Sequence, residues 1–345
     1  MRRFALPLLL LFCALARAAS FDCAKANSPQ EKAVCSSPEL SSADDHLAAA
    51  FKIALASAPA GLQPDLDADQ REWFRLLAVE CPPNKIHLGP NMTACLLRNY
   101  QSRTIEIRQM VQKKAGITFV WRTKILINRL GPVDSNAAQQ AGEPQVLIPG
   151  YGTLALSWPQ AGLPSPEWLA WNQAIVEAAQ KLASRNHPAT DHQWHTEWAE
   201  DDDGDLQVAV GIVSPLLVTA SIERWEYRGA RPRETSAQFN WLLKERRPLR
   251  PEDLFRANSA WEKVVFNHCL KVVSKNHGAH SGRTTVAPGE LHKIVADSEN
   301  WQIEARGLTI RLPVNQLTER PAQATIPWKE LKPYLNPAFV LPAKS

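Results

Sequence analysis

Cysteine is the residue type in this chain whose number and spacing promise chemistry, and that chemistry is oxidative cross-linking. Cys23 and Cys35 bracket the stretch Asp22-Cys23-Ala24-Lys25-Ala26-Asn27-Ser28-Pro29-Gln30-Glu31-Lys32-Ala33-Val34-Cys35, and Cys81 and Cys95 bracket a second segment of similar length. Four cysteines in a short exported segment read as two disulfides. Three pairings are possible and the sequence alone does not choose among them. Pairing 23 with 35 and 81 with 95 is preferred because each bridge closes a local turn. Cys269 is isolated and is expected to be free and buried. No C-x-x-C spacing occurs, which argues against zinc and against thioredoxin-like redox chemistry.

The other reactive residue types do not assemble into a catalytic set. G-x-S-x-G, S-x-x-K, H-E-x-x-H and P-loop patterns are absent, so no catalytic residue, metal or cofactor is assigned and the chain reads as a non-enzyme. His187, His192 and His195 lie near Asp191 and Glu197. In a loop running into a strand, His192 and His195 point to opposite faces, so exposed loop histidines are the better reading. His277 and His280, beside Gly278 and Gly282, take the same reading. Asp201-Asp202-Asp203-Gly204-Asp205, with Glu197 and Glu200, is the sharpest charge feature. It lacks the 12-residue spacing and terminal Glu of a calcium loop. It reads as a solvated hairpin tip, or as an acidic finger that would steer a basic protein partner.

The elements that must position these residues fall into two groups. Ser28 is a suitable N-cap, Pro29 loses no hydrogen bond at the first helical position, and Glu31 can reach back to the cap. Ser37 and Pro38 start a second helix whose apolar face is Leu40, Leu47, Phe51, Ala54 and Ala58. A third runs from about Asp65 to Val79, with Asp65, Asp67 and Asp69 in its positive first turns. A fourth runs from about Met92 to Lys113, with Cys95, Leu96, Tyr100, Ile107 and Val111 inward. The 81–95 loop between them presents Asn84, Lys85, His87 and Asn91, candidate partner-binding residues held at both ends.

Beyond Lys114 the periodicity changes, and 11 of the 12 tryptophans lie there. Strands are expected at Ile117–Ile125, Leu206–Val213, Leu216–Tyr227, Ala237–Leu243, Trp301–Glu304, Leu308–Leu312 and Ala324–Pro327. Residues 128–149 read as a loop. Helices are expected from Ser165 to near Asn186, Ser259 to Lys275 and Pro288 to Asp297, with a helical turn from Trp328 to Leu335. The expected class is α+β: a small disulfide-linked all-α domain over 19–114, then an α+β domain with a mainly antiparallel sheet over 115–345.

Residues 1–18 read as a signal peptide, with Arg2 and Arg3, an apolar run from Phe4 to Leu15, and cleavage at Ala16-Arg17-Ala18. That run of 12 residues is short of the ~20 needed to span a bilayer, and no later stretch is long and apolar enough. The mature chain is expected to be periplasmic or secreted. Removing 1–18 takes away Arg2, Arg3 and Arg17 and no acid, so the formal charge falls from +4 to +1. That leaves no electrostatic basis for nucleic-acid binding.

The 23–35 stretch resembles the opening of the LprI-type lysozyme inhibitor family (DUF1311-like). So do Pro38-Glu39-Leu40 before an Ala-rich helix, Gln70-Arg71-Glu72-Trp73, and the pattern Cys95-Leu96-Leu97-Arg98 followed by Tyr100, Arg103 and Glu106. The resemblance covers residues 22–113 and implies lysozyme as partner and inhibition as function. Tyr227-Arg228-Gly229-Ala230-Arg231-Pro232, Asn240-Trp241-Leu242, Leu249 with Glu252-Asp253-Leu254-Phe255, Gly307-Leu308 with Ile310, and Ala324 with Ile326-Pro327-Trp328 and Leu331 resemble the C-terminal domain of RsiV-like anti-sigma factors (DUF3298-like). That family often has histidine where Arg231 stands. Some of its domains are lysozyme receptors, so the second resemblance implies the same partner. The alternative is an envelope sensor or interaction module for another ligand, such as a peptidoglycan fragment or a partner protein.

Overall fold

A computed structural model of the chain describes residues 19–83, 91–129, 151–184, 203–228, 231–277, 286–314 and 321–340. The described residues group into two compact units, Met1–Ala56 with Leu77–Gln109, and Ser57–Leu76 with Met110–Ser345. The whole is α+β, helical and disulfide-linked first, then rich in strands. No helix among the described residues is long and apolar enough to cross a membrane.

The first unit is built from α1 (Pro29–Ser36), α2 (Pro38–Ser57), the end of α3 (Gln63–Glu80) and α4 (Met92–Gln109). α1 starts as its sequence dictates. Ser28 Oγ accepts from the Glu31 N–H at 3.1 Å, while Glu31 Oε2 accepts from the Ser28 and Asn27 N–H groups at 2.8 Å each. These backbone donors hold the Glu31 carboxyl below the usual carboxylate range. An eight-residue helix is not stable alone. The Cys23–Cys35 bridge ties its end to the preceding 3-10 turn, Cys23–Lys25, and α1 packs on α4. α2 buries Leu40, Ala43, Leu47, Ala50 and Ala54, and α4 buries Cys95, Leu96, Tyr100 and Ile107. α4 ends at Gln109, four residues before the expected Lys113. The backbone turns at Ala115 and Gly116, both at positive φ (49° and 80°), so Val111–Lys114 folds back on Ile117–Val120 as a strand.

The second unit is organised by a seven-stranded sheet whose order follows the sequence: β1 (Val111–Lys114), β2 (Ile117–Arg129), β3 (Tyr151–Ala161), β4 (Asp203–Val213), β5 (Leu217–Arg228), β6 (Arg231–Leu242) and β7 (Arg247–Pro248). All neighbours are antiparallel except β3 and β4, which are parallel. A parallel pair needs a crossover, and α5 (Pro166–Ser184) lies within it. β3 is a strand to which the sequence reading gave no element. α5 lays Trp168, Trp171, Ile175, Ala179 and Leu182 on Phe119, Leu156, Leu206, Val208, Val218, Ala220 and Ile222. Phe119 meets Trp168 and Trp171 edge-on at 5.8 and 5.6 Å, a preferred aromatic geometry.

A smaller sheet, β8 (Trp301–Glu304), β9 (Gly307–Val314) and β10 (Pro321–Pro327), is antiparallel throughout in the order β10-β9-β8. Its apolar face shares a core with α6 (Pro251–Leu254), α7 (Trp261–His277), α8 (Pro288–Ala296) and α9 (Trp328–Leu331). Phe255 stacks on Trp261 at 4.3 Å, and Cys269 is buried and free there. Burial pushes its thiol up to about 12, so it is an inert apolar group. His277 ends α7 rather than lying in a turn.

Ion pairs around Arg122 and Arg224 brace this unit. Asp69, in α3, accepts from Arg122 Nε and Nη2 at 2.8 and 3.0 Å and from the Thr123 N–H at 3.0 Å. Asp65 holds Arg122 Nη1 at 2.8 Å. Arg224 pairs with Glu226 at 2.7 Å, both fully buried, and Arg224 Nη1 donates to the Ala183 carbonyl at the end of α5. A cation there meets the negative end of the helix.

Candidate functional site

The candidate site is the disulfide-bounded segment between α3 and α4. Of the residues singled out there, Asn84, Lys85 and His87 lie outside the described residues. The two feet of the segment are described and are held firmly. Cys81 and Cys95 form a disulfide, with Cα atoms 5.7 Å apart, and both cysteines are buried. The Cys81 N–H donates to the Leu77 carbonyl, continuing the bonding of α3, and Gln30 Nε2 from α1 donates to the Cys81 carbonyl at 3.3 Å. On the other foot, Asn91 Oδ1 accepts from the Ala94 N–H at 2.9 Å and the Asn91 carbonyl from the Cys95 N–H. Asn91 is thus the N-cap of α4 as well as an exposed residue. Asn99 Nδ2 donates to the Cys95 carbonyl at 3.1 Å and approaches both bridge sulfurs.

The same unit holds buried polar groups. Asp44 of α2 accepts from the Ser20 N–H at 2.8 Å and is hydrogen-bonded to Tyr100 of α4. Asp44 and Tyr100 are 5% and 4% exposed. Burial first, and then the Asp44 charge, push the Tyr100 hydroxyl well above its ordinary pKa. Arg103, 2% exposed, pairs with Glu106 at 3.1 Å. The sequence reading placed Tyr100 on an apolar face; the bond to Asp44 had no local signal, because its partners are 56 residues apart. The described feet of the segment are closed by the Cys81–Cys95 disulfide and by the hydrogen bonds of Cys81, Asn91 and Asn99.

The acidic stretch is not a hairpin tip where it is described. Asp201 and Asp202 lie outside the described residues, whereas Asp203 and Asp205 belong to β4, opposite Tyr227 and Trp225 of β5. Asp205 also faces Ala155 of β3. Its carboxyl is half-buried and accepts from Gln207 Nε2 at 3.3 Å, and burial raises its pKa. The strand starts three residues before the expected Leu206, because Gly204 lets the β5 backbone approach: a Cβ there would stand 2.6 Å from the Trp225 carbonyl oxygen. His187, His192, His195 and His280 lie outside the described residues, among which no three acidic, histidine or cysteine side chains are grouped as a metal would require.

Residues 23–107 match the family model described as Lysozyme inhibitor LprI. No curated protein matches the chain. Solved structures similar to it include two described as members of the DUF3298 family. One, from Bacteroides fragilis, is 14% identical, covers 65% of this chain and 96% of its own, and has a TM-score of 0.40. The other, from Pseudomonas aeruginosa PAO1, is 10% identical, covers 64% and 95%, and has a TM-score of 0.43.

Proposed function

We propose that the chain is an exported, non-enzymatic protein that binds lysozyme and inhibits it. The observation that carries this reading is the match of residues 23–107 to the lysozyme inhibitor family. The helical fold and two disulfides of that region are what a small extracytoplasmic domain needs. The inhibitory element is the segment between Cys81 and Cys95. It presents Asn84, Lys85, His87 and Asn91 from feet locked by the disulfide, the Asn91 cap and Asn99. Such a segment loses little conformational entropy on docking. Asp203 and Asp205, being sheet residues, are not part of that element. Asp201 and Asp202 act at most on the encounter rate.

The leader over residues 1–18 delivers the protein across the membrane and is removed near Ala18. The direct test is cell-wall lysis by c-type lysozyme in the presence of the oxidised mature protein. Inhibition that saturates near equimolar protein is expected. Full lysis at a large molar excess would overturn the reading.

A further inference from the structure

Asp44 is a buried carboxylate whose partners are neutral. It sits on α2, 5% exposed, and accepts from the Ser20 N–H at 2.8 Å and from the Tyr100 hydroxyl of α4. Among the described residues no side-chain cation pairs with it. Buried charges are ordinarily paired. The other charged groups nearby do not supply the pair. Glu31 of α1, which acts on the same Tyr100 hydroxyl, is itself an acid. Arg103, three residues on along α4, is engaged with Glu106. Asp45 and His46, next to Asp44 on α2, are exposed.

A cation can reach Asp44 from the backbone itself. Cleavage after Ala16-Arg17-Ala18 makes Ala19 the first residue and Ser20, whose N–H is bonded to Asp44, the second. The Ala19 nitrogen then changes from an amide to a primary ammonium. Three backbone bonds separate it from the Ser20 nitrogen, a distance under about 4 Å. A carboxylate offers about four lone-pair sites, of which Ser20 and Tyr100 take two. The arm that carries Ala19 is also short and fixed at its far end. Cys23, three residues after Ser20, is bridged to Cys35 of α1, and Asp22 accepts from the Ala24 N–H at 3.1 Å.

We infer that leader removal completes this site: the α-ammonium of Ala19 pairs with Asp44, and the helical unit locks only once the leader is gone. The inference rests on the leader reading and is independent of lysozyme inhibition. While the leader is attached the same nitrogen is a neutral amide, and Asp44 keeps only its neutral donors. The precursor is therefore the looser form and the processed chain the tighter one. Oxidation of Cys23 and Cys35 after export fixes the arm that carries the ammonium, so processing and cross-linking support each other. An opposite charge at this distance raises the proton affinity of the amine in the folded state. The stability it contributes is fully present below the unfolded value of about 7.7–8.0 and is lost as pH rises through the folded one.

The test compares the full mature protein, recovered after export, with the same chain extended at its N-terminus by Gly-Ser. Intact mass first fixes the N-terminus, and a mature chain that starts anywhere but Ala19 would overturn the inference through the leader reading. The pKa of the α-amine is then read from the pH dependence of trace acetylation of the N-terminal peptide. It should lie at least one unit higher in folded than in urea-unfolded protein, a tenfold gain in proton affinity or more. The extended chain and Asp44→Asn should lose that difference. At pH 7 the extension should lower the folded-to-unfolded ratio of the helical unit about tenfold, read by far-ultraviolet circular dichroism in urea, and should change nothing in Asp44→Asn. Should Asp44→Asn not fold, the extension of the parent chain carries the test alone. An α-amine at Ala19 that titrates alike in folded and unfolded protein, or an extension without effect on stability, would overturn the pairing itself.

Discussion

Opening the Cys81–Cys95 bridge tests whether the helical unit is a frame for its loop. The bridge joins residues 14 apart in sequence. Closing a loop of about 15 residues removes roughly 10 cal/mol/K from the unfolded chain, or about 3 kcal/mol at room temperature. Both cysteines are buried, so Ala is the better replacement, because Ser would bury two hydroxyls. The double variant Cys81→Ala/Cys95→Ala should therefore lose about 3 kcal/mol, roughly a hundredfold in the folded-to-unfolded ratio. The region Met1–Ala56 with Leu77–Gln109 contains no tryptophan. Its unfolding is read by far-ultraviolet circular dichroism, with tryptophan fluorescence reporting the other unit as an internal control. A urea titration should shift the helical transition and leave the fluorescence transition in place. If the loop is inhibitory, its freed side chains must be ordered on binding at roughly 0.5–1.5 kcal/mol each. Three such side chains raise the dissociation constant for lysozyme at least tenfold. A loss of stability under about 1 kcal/mol, or unchanged inhibition by a folded variant, would refute the reasoning.

Cys23 is exposed while Cys81 and Cys95 are buried, so mild dithiothreitol followed by alkylation and peptide mapping should label Cys23 and Cys35 first; equal labelling of both bridges would contradict the packing, and Cys269 should label only after denaturation. Asp69→Ala should cost about 3 kcal/mol in fluorescence-monitored unfolding, the low end for breaking a buried pair, because Arg122 keeps Asp65 and Gln160; a loss below 1 kcal/mol would show that Asp69 does not brace β2. The pKa of Tyr100 is raised in the folded state, so the stability it contributes is fully present below the unfolded value of about 10 and is lost as pH rises through the folded one. Stability of the helical unit should fall above about pH 10 in the parent and less steeply in Tyr100→Phe, and identical slopes would be the contrary result. Lys85→Ala/His87→Ala should raise the dissociation rate from lysozyme with little change in association, whereas Asp201→Asn/Asp202→Asn should slow association only at low salt; the reverse pattern in stopped-flow binding would reassign the two segments.

The sequence spoke most clearly where structure is local. Ser28, Pro29 and Glu31 form the capping box that their spacing implies, and the face of α2 follows the spacing of Leu40, Leu47 and Ala54. Hairpin Trp301–Glu304 with Leu308–Leu312 was legible from Arg306-Gly307 and alternation, and the structure lengthens it to Gly307–Val314. What the sequence hid is non-local. β3 carries Pro159 and small residues, and it becomes a strand by pairing with β2 along its whole length. Val111–Lys114 continues the pattern of α4, yet the positive-φ pair Ala115-Gly116 folds it back instead. Asp203–Asp205 has turn composition and is overridden by the ladder to β5, which β3 joins from Gly204 onward.

β5 shows where alternation decides a side and where it does not. Val218, Ala220 and Ile222 occupy even positions, and Arg224 and Glu226 continue that face as a buried pair under α5. A tryptophan at 225 stands on the opposite parity, where its strand neighbours are Thr219, Ser221 and Glu223. Period-two alternation fixes which side each residue takes. Leu217 shares the parity of Trp225 and is nonetheless core, because the elements of the small sheet pack on that end of the strand. Which residues of the second face are buried is therefore set by what packs against them and not by alternation alone.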